Sequence, residues 1–206
     1  MCGITGIMDP RARLNDLSSI IADMTNRLQS RGPDDHGAFL SDSHDLALGH
    51  RRLAVIDPAT AGRQPMTSKS GRMLIVFNGE IYNYKTLRSE LESIGCRFTT
   101  ETDTEVLLEA CERWGVRQTV DRLVGMFAFA VFDRHERTLH LVRDRVGIKP
   151  LLLWTDGIAA VFGSDLRALE SCPLVPSEID SRAISSLLRY SCIMGTGSIV
   201  KRAEKV

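Results

Sequence analysis

Two runs constrain the fold of this chain more than any other feature: Arg72 to Phe77 (RMLIVF), apolar after its first residue, and Met126 to Phe132 (MFAFAVF), apolar at every position. A strand that meets water on one face alternates polar with apolar residues, so runs like these must be covered on both faces. Between them lie two stretches with helical spacing. The first is Tyr84, Leu87, Leu91 and Ile94 ahead of Gly95; the second is Val106, Leu107, Ala110, Cys111 and Trp114 ahead of Gly115. The second opens on Thr102-Asp-Thr-Glu105, the pattern of a capping box. Helices supply one cover and another sheet the other, which predicts an α+β sandwich of mostly antiparallel sheets.

The remainder of the chain fits that plan. Cys2 to Met8 reads as a short strand stopped by Asp9-Pro10, and Leu17, Ile20, Ile21, Met24 and Leu28 form the stripe of an amphipathic helix that Arg31-Gly-Pro-Asp34 ends. Extended segments are expected at Gly37 to Ser41, Asp45 to Asp57, Thr138 to Arg143, Leu151 to Trp154 and Gly157 to Gly163. A last helix starts at Asp180 and carries Ile184, Leu187 and Leu188, and no clear element is expected from 191 to 206.

At 206 residues the chain fits one ordinary domain. Lys plus Arg and Asp plus Glu number 26 each, and the resulting zero net charge argues against nucleic acid or an anionic membrane surface as partner. No stretch approaches about 18 consecutive apolar residues, and no basic segment precedes a hydrophobic one at the start, so neither a membrane span nor a cleaved signal is expected. Five cysteines, at 2, 96, 111, 172 and 192, form no Cys-x-x-Cys pair. That suits a reducing cytoplasm and reads poorly as a disulfide framework or a metal site.

Cys2 is the sharpest chemical clue. Removal of Met1 would leave a thiol and a free α-amine on one residue, a nucleophile with its base preassembled. An ordinary thiol, with a pKa near about 8.5, is only a few per cent thiolate at neutral pH, whereas an α-amine near about 7.8 is an adequate proton acceptor there. Taken alone, position 2 is simply the residue after the initiator. Similarly, Asn78-Gly79, after the apolar run, is most simply a hairpin turn. Arg52 reads as a surface charge beside Arg51, Glu80 as a turn residue and Asp103 as a first-turn acid favoured by the helix dipole.

The order of motifs changes these readings. Met1-Cys-Gly-Ile-Thr-Gly6, Arg31-Gly-Pro-Asp34, Gly49-His-Arg-Arg-Leu53, Gln64-Pro-Met66, Phe77-Asn-Gly-Glu-Ile-Tyr-Asn83, Thr102-Asp-Thr-Glu105, Gly125-Met-Phe-Ala-Phe-Ala130 and Arg143-Asp-Arg-Val-Gly-Ile-Lys-Pro150 occur in sequence over nearly the whole chain. Together they resemble the class II glutamine amidotransferases, a branch of the N-terminal-nucleophile hydrolases, and specifically the glutaminase half of the asparagine synthetase B type. The resemblance implies a four-layer αββα sandwich in which Cys2 is the nucleophile and Asn78 and Gly79 form the oxyanion hole. It assigns Arg52 to the α-carboxylate of glutamine, Glu80 and Asp103 to its α-ammonium, and the main chain near Val55 and Ile56 to the pocket wall. Arg31-Gly-Pro-Asp34 and Gln64-Pro-Met66 are expected to shape loops around the site. Ser30 stands where the family often has a histidine.

Under this resemblance residues 1–190 form the amidotransferase domain and 191–206 the start of a linker towards a synthetase domain that the chain lacks. L-glutamine is the implied substrate and an ammonia-accepting synthetase domain or subunit the implied partner, with a homodimer left open. No cofactor is expected in this domain. ATP and Mg belong to the synthetase half, whose Ser-Gly-Gly-x-Asp-Ser loop does not occur here.

Three alternatives compete with this reading: an N-terminal-cysteine amidohydrolase acting on another acyl amide, a glutaminase half serving a non-aspartate acceptor, and a docking or regulatory module that keeps Met1. The five histidines, at 36, 44, 50, 135 and 140, show no metal spacing and are expected to be solvated or structural. His50 is the one placed to order the Arg51-Arg52 pair. The other four cysteines are expected in the core or on helix faces.

Overall fold

The computed structural model describes residues 1–53 and 62–206. Its strands are β1 (Gly3–Met8), β2 (Asp35–Leu40), β3 (Leu46–Arg52), β4 (Met66–Thr67), β5 (Met73–Ile81), β6 (Gly125–Asp133), β7 (Thr138–Arg143), β8 (Leu152–Thr155), β9 (Ala160–Gly163) and β10 (Ala203–Lys205). Its helices are α1 (Leu17–Asn26), α2 (Tyr84–Ser93), α3 (Asp103–Trp114), α4 (Val116–Arg122), α5 (Leu166–Glu170) and α6 (Ser181–Tyr190). The strands form two antiparallel sheets, one ordered β10-β8-β9-β1-β3-β2 and the other β4-β5-β6-β7.

The two apolar runs became β5 and β6, paired along their whole length from Met73↔Asp133 to Ile81↔Gly125. Both are covered twice, as the run composition requires. Ile75, Phe77, Phe129 and Val131 pack with Leu87, Leu91, Val106 and Leu107 of α2 and α3. The alternate residues Leu74, Val76, Ala128 and Ala130 meet Ile4, Leu46, Leu48 and Phe162 of the other sheet. That second sheet turns Ile7, Ala47 and Val161 outward onto Leu17, Ile21 and Met24 of α1 and Leu169 of α5. The layers therefore run helices, sheet, sheet, helices: the four-layer αββα sandwich.

Local chemistry sets the ends of the helices. Thr102 caps α3 by accepting from Glu105 N at 3.3 Å, as the capping box predicts. The reciprocal arm goes elsewhere: the Glu105 carboxylate accepts from the amides and hydroxyls of Thr99 and Thr100, which ties the preceding loop to the helix. Asp16 and Asp180 cap α1 and α6.

Three expectations need correction. Asn78-Gly79 is no hairpin turn: β5 continues through both residues, pairing them with Ala128 and Phe127, because the partner β6 is long enough to extend the ladder past the apolar run. The segment from 191 to 206 is not featureless either. Val200 and Ala203 are buried and β10 closes the edge of the larger sheet on β8, a contact three residues long that carries no sequence periodicity. Cys192 is exposed, beyond the end of α6, rather than in the core or on a helix face. The helices α4 and α5, 7 and 5 residues long, are too short for periodicity to mark them in the sequence.

Candidate active site

Alternation along three strands brings the site together. Because Ile4, Leu48 and Val76 face the space between the sheets, residues two or four positions further along share that face. Cys2, His50, Arg52, Asn78 and Glu80 thus continue the inward rows of β1, β3 and β5 at one end of the sandwich. Arg51, one step out of phase, points the other way and donates from Nε to Thr25 O of α1 at 3.1 Å. The Arg51-Arg52 pair is split between the two faces of a strand, and Arg52 is no mere surface charge.

At this end a cleft is lined by Cys2, His50, Arg52, Leu53, Gly62, Gln64, Phe77, Tyr84, Glu101, Thr102, Asp103 and Thr104. Three residues singled out in the sequence, Cys2, Arg52 and Asp103, therefore meet in one cavity. Cys2 is half-buried, and Leu53 N–H donates to its Sγ at 3.4 Å. Arg31 Nε donates to Cys2 O at 3.2 Å. Burial lowers the Arg31 pKa, while Asp165 and Cys2 oppose that shift. Gly32 allows this approach, since a Cβ there would stand 2.4 Å from the Arg51 carbonyl carbon.

Asn78 and Gly79 supply donors. The Asn78 side chain is 1% exposed, and among the described residues its Nδ2 has no hydrogen-bond partner. An orphaned buried amide of this kind costs about 1–3 kcal/mol, a cost an arriving acceptor removes. The direction of the Gly79 amide follows from register. In an antiparallel ladder alternate residues turn their main-chain groups towards the same neighbour. Phe77 N–H bonds to Gln64 Oε1 and Ile81 N–H to Asp103 Oδ2, both away from β6, so the Gly79 N–H between them also points away from β6. A side chain at 79 is excluded, because its Cβ would stand 2.3 Å from Met126 O.

Asp103 is the first residue of α3, where helix amides favour a carboxylate. Burial nevertheless pushes its pKa up, and nearby Glu80 pushes in the same direction, against the bonds from Ile81 and Thr104. Glu80 is exposed at the end of β5 and does not line the cleft, but its charge reaches Asp103. Two acidic groups therefore stand near one cleft that the Arg52 guanidinium also lines. The expected wall residues Val55 and Ile56 lie outside the described residues.

The cleft also holds residues whose part the sequence reading missed. His50 is 1% exposed, with Nε2 3.2 Å from Phe77 O. Burial pushes its pKa down to about 4, the Phe77 bond opposing and Arg52 adding to the shift, so the ring is neutral at physiological pH. A neutral imidazole bonded to a carbonyl carries its proton on Nε2. Gln64, expected only to shape a loop, is buried between Phe77 N–H and Thr104 Oγ1. The available signal was phase: His50 shares the parity of Arg52 on β3. Among the described residues no three His, Cys, Asp or Glu side chains cluster as a metal site, and no helix is long and apolar enough to cross a membrane.

Comparison with known proteins gives the chain a family and its fold a set of neighbours. The family model described as a glutamine amidotransferase domain matches residues 1–206. Asparagine synthetase [glutamine-hydrolyzing] 3 of Bacillus subtilis is 40% identical over 201 residues, covering 96% of this chain and 32% of the relative. Asparagine synthetase [glutamine-hydrolyzing] 1 of the same organism is 36% identical over 208 residues, covering 100% and 32%. An Arabidopsis thaliana relative, asparagine synthetase [glutamine-hydrolyzing] 3, is 38% identical over 170 residues, covering 82% and 28%. The chain spans about a third of the length of these curated relatives. Among solved structures, the glutamine phosphoribosylpyrophosphate amidotransferase of Bacillus subtilis, complexed with ADP and GMP, superposes with a TM-score of 0.68. The structure described as the allosteric regulatory enzyme of purine biosynthesis gives 0.71. Each is 23% identical and covers 82% of this chain and 43% of the other, which identifies the fold as that of the N-terminal-nucleophile hydrolases.

Proposed function

The chain belongs to the glutamine amidotransferase domain family, and from that premise we propose that it hydrolyses L-glutamine to L-glutamate and ammonia through a thioester on Cys2. With Met1 removed, the α-amine takes the thiol proton as Sγ attacks the side-chain carboxamide. Charge develops on the amide oxygen, where Asn78 Nδ2 and Gly79 N–H are the donors. The tetrahedral intermediate collapses, its nitrogen leaves as ammonia with the proton returned by the amine, and water then hydrolyses the glutamyl thioester. Arg52, with its planar fork, binds the α-carboxylate, and Asp103 with Glu80 attracts the α-ammonium.

The observation that carries the reading is the buried Asn78 amide without an acceptor, on the same inward face as Cys2. A cleft holding Arg52 and Asp103 together favours an amino-acid amide over a simple acyl amide. We assign the ammonia to a synthetase domain or subunit that makes asparagine, with ATP and Mg acting there, since the relatives bearing that name are about three times as long. Five cysteines, none in a disulfide, support a reducing cytoplasm. The test is glutamate release from glutamine with asparagine and a simple acyl amide as competitors. Preference for glutamine supports the reading, and equal use of the acyl amide refutes it.

A further inference from the structure

We propose that His50 and Gln64 are positioning residues that clamp the Phe77 main chain from two sides and thereby set the oxyanion-binding Asn78 and Gly79; the proposal rests on the glutaminase reading above. Strand β4 pairs with β5 only as far as Met66↔Ile75, so past Ile75 that side of β5 has no strand neighbour among the described residues. Phe77 is 3% exposed, and its amide and carbonyl face that vacant side, as their partners show. Orphaned there, each group would carry the penalty of a buried unsatisfied main-chain atom.

Two side chains stand in for the missing rung. Gln64 Oε1 accepts from Phe77 N–H at 2.6 Å, and its own Nε2 is anchored by donating to Thr104 Oγ1 at 3.3 Å. His50 Nε2 donates to Phe77 O at 3.2 Å from β3 of the opposite sheet. That carbonyl lies in the same rigid peptide plane as Asn78 N. The bond from His50 therefore fixes the rotation of the peptide that leads into Asn78, and the bond from Gln64 fixes the peptide before it.

The clamp also ties the two halves of the pocket together. His50 lies two residues before Arg52 on one strand, and Thr104 follows Asp103 at the start of α3. The groups that hold substrate and the groups that stabilise its oxyanion are thus referenced to one main-chain unit, Phe77. A neutral imidazole suits this task because its donor persists over the pH range in which an α-amine acts as a base. Misplacement of a donor by about 1 Å is enough to cost on the order of 10²-fold in rate.

Four variants test the proposal: His50→Leu and Gln64→Met remove the bonds to Phe77, while His50→Gln keeps a neutral N–H donor and Gln64→Glu keeps the acceptor. On glutamine, the first two are expected to lower kcat by about 10–100-fold with KM within about 3-fold. The second two should recover most of that loss. Amide hydrogen exchange over 77–79 should speed up in the disabling pair only. Unchanged kcat in His50→Leu and Gln64→Met, or KM rising in step with the loss, overturns the proposal. So does unchanged exchange at 77–79, whatever the activity. If His50→Leu does not fold, Gln64→Met and its Glu counterpart carry the same comparison. A wild-type chain that releases no ammonia from glutamine refutes the glutaminase reading, whereas the exchange measurement bears on the clamp independently.

Discussion

Leu53 N–H points at Cys2 Sγ from 3.4 Å, across a gap of 51 residues in sequence. The bond fixes the sulfur against the end of β3, beside Arg52, and gives a half-buried thiol a defined direction. Cys2→Ala is expected to abolish glutamate release while changing unfolding free energy by less than about 1 kcal/mol, since little packing is lost. Activity within a few-fold of wild type would move the nucleophile elsewhere. Urea titration of the variant separates chemistry from folding.

Asn78→Ala removes one of the two donors proposed for the oxyanion, a buried amide without a partner among the described residues. A fall in kcat of about 10²–10³ with KM nearly constant is expected. Steady-state kinetics on glutamine checks this, and a variant that changes KM alone would place Asn78 in ground-state binding.

Charge at Arg52 and Asp103 should show in binding. Measured on Cys2→Ala, which is expected not to turn over, Arg52→Ala should weaken glutamine by about 10–100-fold, the worth of a charged hydrogen bond. Asp103 has a raised pKa, so it takes up a proton at a pH where an ordinary aspartate is still charged. Glutamine affinity should therefore fall as the pH is lowered, and Asp103→Asn should bind weakly with little pH dependence. Calorimetric titration as the pH is lowered from neutral towards the ordinary aspartate range reads both, and parallel pH profiles in the two chains would contradict the assignment.

His50 makes stability depend on acid. Its folded pKa is about 4 against 6.5 for the unperturbed group. Between these values the unfolded chain binds a proton that the folded chain refuses, so stability is full above about pH 6.5 and declines as the pH drops towards about 4. The shift corresponds to about 3 kcal/mol. Urea titrations at pH 7 and near pH 4.5 should show a larger loss in wild type than in His50→Gln. Equal losses would show that other groups cause the acid sensitivity.

The layers were legible in the sequence because burial on both faces leaves a compositional mark: an unbroken MFAFAVF admits few alternatives. Cys2, Arg52 and Asp103 could be named because each sits in an ordered motif, and the structure gathers them in one cleft. What stayed hidden depended on pairing partners distant in sequence. Asn78-Gly79 has the composition of a turn, and only the length of β6 opposite keeps it in a strand. The parts of His50 and Gln64 depend on where β4 stops, which no local pattern announces. Strand β10 is held by three residues on an edge, too short for periodicity to mark.

In the proposed reaction the half-buried Cys2, made N-terminal by loss of Met1, carries the glutamyl group. Intact mass of the protein, quenched in acid during turnover with glutamine, tests it most directly. The expected mass is that of a chain lacking Met1, with a fraction carrying one glutamyl group on Cys2 that is absent from Cys2→Ala. Glutamate release by a chain that retains Met1, or by Cys2→Ala, would contradict it.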